Sequence, residues 1–238
     1  GIGVFLASLS LACAYIPSVY YLNEKCNTQI QFSNDVRIKL TRYSYTNLRR
    51  SLNCQITIST RDVSDKLLLR FRSLDTRTSF GCTTNKLSIY DTNGNILSGG
   101  GICGGIRPSK VYETTGSSLK LLFNTDSFTR QTGNFDVLIT SFNNGNRNGS
   151  CFAGDYRCEN KRCIYNGLTC DGYNNCGDDS DEIDGCGLSK GVFIGIGIGG
   201  FVFLVLIILG IICGRRRYYH HHCHGPTITT TTKSYQNF

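Results

Sequence analysis

The chain has 238 residues, a formal net charge of +8, 13 cysteines and neither methionine nor tryptophan. Its four histidines are His220, His221, His222 and His224, so the preceding residues cannot assemble a Ser-His-Asp or Cys-His catalytic group, and no enzyme activity is expected. Nor is the excess charge one basic face for nucleic acid: residues 26–150 hold sixteen basic and eight acidic side chains, whereas residues 151–186 hold three and eight.

Residues 1–14 are apolar and end in Ala12-Cys13-Ala14, a small-x-small cleavage signature. The stretch is shorter than the roughly 20 residues a membrane helix needs. It reads as the remnant of a secretory signal peptide, and with no methionine in the chain, residues are expected to be missing before Gly1. Ten of the cysteines lie between Cys26 and Cys186. An even set in a secreted segment points to disulfides. Zinc is disfavoured, because no C-x-x-C pair occurs and no histidine is nearby.

From Cys26 to about Thr140 the sequence alternates with the period of half-buried strands, as in Val36-Arg37-Ile38-Lys39-Leu40, Cys54-Gln55-Ile56-Thr57-Ile58 and Phe135-Asp136-Val137-Leu138-Ile139. Residues 66–71 and 119–123 are more continuously apolar, as central strands can be. Asp91-Thr92-Asn93-Gly94-Asn95 and Ser98-Gly99-Gly100-Gly101 supply turns. The expected fold is an all-β antiparallel sandwich.

The spacing of Cys26 and Cys54 and of Cys82 and Cys103, the run Cys103-Gly104-Gly105-Ile106-Arg107-Pro108, and the later Leu119–Asp126 and Gly133-Asn134-Phe135 stretches resemble a CUB domain over residues 26–142. The resemblance implies disulfides Cys26–Cys54 and Cys82–Cys103. It also implies a calcium site at positions that here read Arg77, Asn85 and Asp126. An arginine at a ligand position repels a cation, so this site is expected to be dead and Asp126 to fix a loop. Residues 143–150 read as a Gly/Asn-rich linker, in which Asn148-Gly149-Ser150 is an N-glycosylation sequon.

Residues 151–186 are too short and acidic to hold a fold by apolar burial alone, so cross-links and a hard cation are the expected substitutes. Six cysteines permit fifteen pairings. Their spacing, with Cys170-Asp171-Gly172 and Ser180-Asp181-Glu182, resembles one LDL-receptor class A repeat, with Tyr156 and Ile164 as its small apolar pair. The resemblance implies disulfides Cys151–Cys163, Cys158–Cys176 and Cys170–Cys186. It further implies calcium held by the side chains of Asp171, Asn175, Asp181 and Glu182 and the carbonyls of Leu168 and Tyr173. Asn175 stands where the family carries aspartate, which removes one negative charge and lowers the expected affinity. In relatives an aromatic and acidic groups around this loop enclose a partner's lysine. The matching positions are Leu168, Asp171, Tyr173 and Asn175, of which only one keeps a carboxylate, so the repeat is expected to serve more as a rigid mount than as a trap.

Residues 191–214 carry no charge and precede Arg215-Arg216-Arg217. This predicts a single transmembrane α-helix with its C-terminus in the cytoplasm, a type I protein of the plasma membrane with an extracellular N-terminus. Gly191, Gly195 and Gly199 would permit close helix packing, including a homodimer. In the tail, residues 215–238, Cys213 and Cys223 at its border are palmitoylation candidates. The His220–His224 tract is a weak metal candidate, and Tyr235-Gln236-Asn237-Phe238 resembles a sorting or phosphotyrosine signal.

The order CUB, class A, membrane span resembles the neuropilin-and-tolloid-like and other class A single-pass membrane proteins. The resemblance implies a non-enzymatic glycoprotein receptor: a co-receptor or auxiliary subunit binding a protein partner, itself a membrane protein, or alternatively an endocytic receptor for a soluble ligand.

Overall fold

The computed structural model describes residues 15–43, 47–105, 107–127, 131–183, 186 and 203–212. The expectations placed on residues 1–14, on Gly191, Gly195, Gly199, Cys213 and Cys223, and on Tyr235 lie outside the described residues.

The strands follow in order: β1 (Ser18–Tyr21), β2 (Thr28–Phe32), β3 (Asp35–Lys39), β4 (Asn47–Leu48), β5 (Asn53–Thr60), β6 (Lys66–Asp75), β7 (Asn85–Tyr90), β8 (Tyr112–Glu113), β9 (Ser118–Thr125), β10 (Gln131–Thr132), β11 (Asn134–Phe142), β12 (Asp155–Arg157) and β13 (Cys163–Tyr165). One sheet has the order β1-β3-β11-β6-β8 and the other β2-β5-β9-β7. Pairing is antiparallel except for β1–β3 and β2–β5. In both exceptions the intervening chain visits the opposite sheet, the kind of crossover that parallel pairing requires.

Alternation places Cys54, Ile56 and Ile58 of β5, Leu119, Leu121 and Phe123 of β9, and Leu87 and Ile89 of β7 on one inner face. Val36, Ile38, Leu67, Leu69, Phe71, Phe135, Val137 and Ile139 oppose them from the first sheet. These side chains form the sandwich core, and each fully buried one contributes about 1.5–3 kcal/mol.

Strands β6 and β11 are also apolar on their outer face. Leu68 and Phe142 are both 1% exposed and pack with Cys158, Ile164, Leu168 and Cys176 of the cysteine-rich segment, with Val111 and Tyr156 at the edge. The continuous Leu67-Leu68-Leu69 run thus has a cause that strand centrality does not supply. Its two faces serve two different cores. Residues 15–186 accordingly belong to one compact unit.

The segment joining the two parts is an ordered turn. Asn143 and Cys163 exchange backbone hydrogen bonds of 3.0 and 2.8 Å, and the Asn143 amide donates to Asp155 at 3.1 Å. Gly145 has φ +71°, and a Cβ there would fall on the Ser150 carbonyl, so the turn requires glycine. Asn148 is exposed at its tip.

Residues 203–212 form a helix with outward apolar side chains such as Phe203 and Leu206, described by itself as a second unit. Among the described residues no helix is long and apolar enough to cross a membrane.

Candidate functional site

Among the described residues, disulfides pair Cys26 with Cys54, Cys82 with Cys103, Cys151 with Cys163, Cys158 with Cys176 and Cys170 with Cys186. The last three staple the acidic segment, which carries the short β12–β13 hairpin with Tyr156 opposite Ile164.

Between Cys170 and Cys186 the chain folds around a knot of oxygens. The terminal amide of Asn175, fully buried, lies 3.2 and 3.4 Å from the Asp171 carboxylate oxygens, 3.3 Å from the Tyr173 carbonyl and 3.5 Å from the Leu168 carbonyl. Asp181 Oδ2 accepts the backbone N–H groups of Asn175 at 2.6 Å and Cys176 at 3.2 Å. Its other oxygen, Oδ1, is buried with no hydrogen-bond partner among the described residues. Glu182 accepts from the N–H groups of Asp171 at 3.0 Å and Gly172 at 2.9 Å.

These residues fit a hard divalent cation. Oxygens set at right angles in a shell of 2.3–2.6 Å radius stand about 3.4 Å apart, close to the spacing around the Asn175 amide. Turning that amide by 180° presents Oδ1 to its neighbours and leaves the NH₂ facing the Thr140 hydroxyl, which can accept as readily as donate. The orphaned Asp181 Oδ1 is the observation that most favours a cation, since an unpaired buried carboxylate oxygen is costly. Among the described residues, the acidic and cysteine side chains whose ligand atoms lie within 4.8 Å of one another are Cys176, Asp178 and Asp181, a poorer candidate because the Cys176 sulfur is committed to Cys158.

Burial pushes the Asp171 carboxyl up to about 7 and that of Asp181 up to about 6, and Asp35 of β3 rises to about 7 for the same reason. A raised carboxyl pKa means that the folded state holds the proton more tightly than the unfolded chain does. Its contribution is present below the unfolded value near 4 and is lost as the pH rises through 6–7. With a chelator present, thermal denaturation should therefore show a higher Tm at about pH 5 than at about pH 7.5. Saturating calcium should remove that difference by stabilising the charged forms at the higher pH. A chelated protein that is more stable at the higher pH would contradict this electrostatic account.

The sandwich supplies a wall to this site. On its outer face the Arg37 guanidinium pairs bidentately with Asp136, donates to the Tyr173 hydroxyl at 3.2 Å and lies 5.5 Å from that ring, while Arg72 stacks on the same ring at 4.2 Å. Asp136 holds the Arg37 pKa above its usual value. Arg70 faces Asp179 at 3.4 Å, and Arg162 returns from the module to Glu113 at 3.0 Å while covering the Phe142 ring. Exposed pairs of this kind are worth about 0–1 kcal/mol each, so the apolar patch under Leu168 holds the parts together and the charges set the register.

The positions matching the family's lysine trap are consequently turned inward. Leu168 and Asn175 are fully buried, and Tyr173 is taken by two arginines of the same chain. Beside it opens a cleft of about 300 Å³ whose lining includes Arg70, Arg72, Arg107, Tyr173, Asn174 and Asp179. At the sandwich positions that resemble a cation site, Arg77 is exposed, Asn85 is buried, and the Asp126 backbone bridges Thr84 and Ser51.

Arg37, Arg72, Asp35 and Thr140 escaped the sequence reading. The available signal was that Leu68, Leu138 and Phe142 occupy the nominally outer face of their strands, which required a cover.

Comparison with known proteins separates the two parts in the same place. The model of the CUB domain matches residues 41–137, and that of the low-density lipoprotein receptor domain class A matches residues 149–186. Human cubilin is 35% identical over 107 residues, covering 43% of this chain and 3% of its own length. Rat cubilin is 39% identical over 87 residues, covering 36% of this chain and 2% of its own. The chain thus spans a small fraction of the curated relatives it matches. Among solved structures, the extracellular region of zebrafish Gpr126/Adgrg6 aligns with 49% of this chain and 15% of its own at a TM-score of 0.42 and 18% identity. The MASP-1 CUB2 domain bound to Ca²⁺ aligns with 46% of this chain and 96% of its own at a TM-score of 0.38 and 19% identity.

Proposed function

We propose that this chain, a CUB domain followed by an LDL-receptor class A domain, is a non-enzymatic cell-surface binding protein, a co-receptor or auxiliary subunit that contacts an acidic face of a membrane protein partner. The cleft at the junction of the two domains carries the reading. Three guanidinium groups line it, and Arg72 and Arg107 form no salt bridge among the described residues. Planar arginine forks beside an aromatic ring favour carboxylate recognition. Calcium in the class A domain would be held by Asp171, Asn175, Asp181, Glu182 and the Leu168 and Tyr173 carbonyls. It supplies charge neutralisation and a rigid loop, which fixes Tyr173 against the arginines.

The uncharged run at 191–214 and the arginines after it support a type I anchor in the plasma membrane, with the described helix at 203–212 inside that run. The test is proximity labelling in cells with the full chain and with the Arg72→Glu/Arg107→Glu variant. A membrane protein enriched by the first should be lost with the second, and its affinity should fall by roughly tenfold or more, about 1.4 kcal/mol. Equal recovery by both would defeat the cleft, and absence of any membrane partner would defeat the co-receptor reading.

A further inference from the structure

The loop that would hold calcium is one charge short, because Asn175 replaces a carboxylate at a ligand position. The Asn175 side chain also reaches out of its own domain. Its terminal amide meets the Thr140 hydroxyl of β11, in the CUB domain, at 2.7 Å, a hydrogen bond that either orientation of the amide can make. Thr140 is the cross-strand partner of Asp35 at the start of β3, so a carboxylate stands directly beside the residue that touches the loop. Asp35 is only 3% exposed, and neither of its oxygens has a hydrogen-bond partner of normal geometry among the described residues. The Tyr15 hydroxyl approaches it and eases the charge somewhat, but burial dominates. Asp35 is close enough to Asp171 for their charges to repel.

The Asp35 and Asp171 charges repel, and buried oxygens of Asp35 and of Asp181 lack hydrogen-bond partners among the described residues, an arrangement that a cation would stabilise. We infer that Asp35 is a carboxylate of the calcium site, supplied by the CUB domain in place of the charge missing at Asn175. The site is then bipartite: binding the ion in the class A loop also fastens the loop to β3 and β11. This rests on the calcium reading above and adds to it a residue outside the class A repeat.

The test compares the full 238-residue chain with its Asp35→Asn and Asp35→Asn/Asn175→Asp variants, by calorimetric titration with calcium chloride after chelation and by thermal denaturation in chelator. Asp35→Asn should bind calcium roughly tenfold more weakly or worse, about 1.4 kcal/mol. It should also melt at a higher temperature than the parent in chelator, because an unpaired buried charge is gone. The double variant, with the charge moved into the loop, should regain most of the affinity. A residue that merely packs would not give this inversion between the two conditions. Parent binding that Asp35→Asn leaves unchanged would overturn the bipartite site alone. A parent chain that binds no calcium would overturn it together with the calcium reading.

Discussion

Replacing Asp181 by alanine is expected to cost the folded chain about 3–5 kcal/mol at saturating calcium and to abolish its calcium response. The side chain accepts two backbone N–H groups through Oδ2 and leaves Oδ1 buried without a partner among the described residues. Each charge-assisted bond contributes about 1.5–3 kcal/mol, and saturation at a hundred times Kd adds about 2.7 kcal/mol. Part of this is offset because truncation also removes a carboxyl that burial has raised to about 6. Asp179→Ala is the control. Its carboxylate is 57% exposed and faces only Arg70 at 3.4 Å, so the loss should stay within about 1 kcal/mol. Urea denaturation of both variants, with calcium and with chelator, separates a specific cation cage from a generally acidic loop. Equal small losses would rule the cage out.

The second large effect belongs to the seam between the domains. Phe142→Ala should destabilise the chain by about 3–5 kcal/mol, as expected for an aromatic deleted from a packed interior. Phe142 is 1% exposed, ends β11 and packs with Leu68, Ile164 and Leu168, while Arg162 lies over its ring at 5.4 Å. None of its apolar neighbours in that cluster belongs to the sandwich core. The loss should therefore fall on docking. Calorimetry of the parent should show one transition for residues 15–186, and the variant should show two, with the CUB transition nearly unmoved. A single transition lowered as a whole would mean that Phe142 supports the sandwich itself.

Docking also gives the divided charge of the chain a structural role. The positive CUB segment and the negative class A segment first read as unlike parts of a sum. In the fold, Arg37, Arg70 and Arg72 stand on one outer sheet face and meet Tyr173 and Asp179 across the seam. Part of the basic surface is thus used within the chain. The cleft at Arg70, Arg72 and Arg107 is the portion left open beside that seam.

Much of the fold was legible because its determinants are local or strongly patterned. Period-2 alternation puts Ile56 and Ile58 inside β5 whatever lies across the sheet, and acidic residues crowded between Cys170 and Cys186 must meet one another in so short a loop. The parallel pairings of β1 and β2 were not legible, since they depend on which sheet the intervening chain visits. The residues at 143–150 showed only turn chemistry, which is the same for a loose linker as for the bonded turn that the Asn143–Cys163 bridge creates.

By itself, then, the sequence determined the CUB-like sandwich, the stapled acidic class A module, and the confinement of histidine to residues 220–224. Only the tertiary structure decided that the cage faces the CUB domain. That outcome depends on pairs distant along the chain, such as Arg37 with Tyr173, 136 residues apart, and Thr140 with Asn175, 35 apart. Such pairs leave no periodicity in either segment. Asn175 shows the difference most sharply. In the sequence it is a charge lost where the resemblance implies a calcium ligand, and in the fold it is the point where that loop touches Thr140 of β11, the cross-strand partner of Asp35.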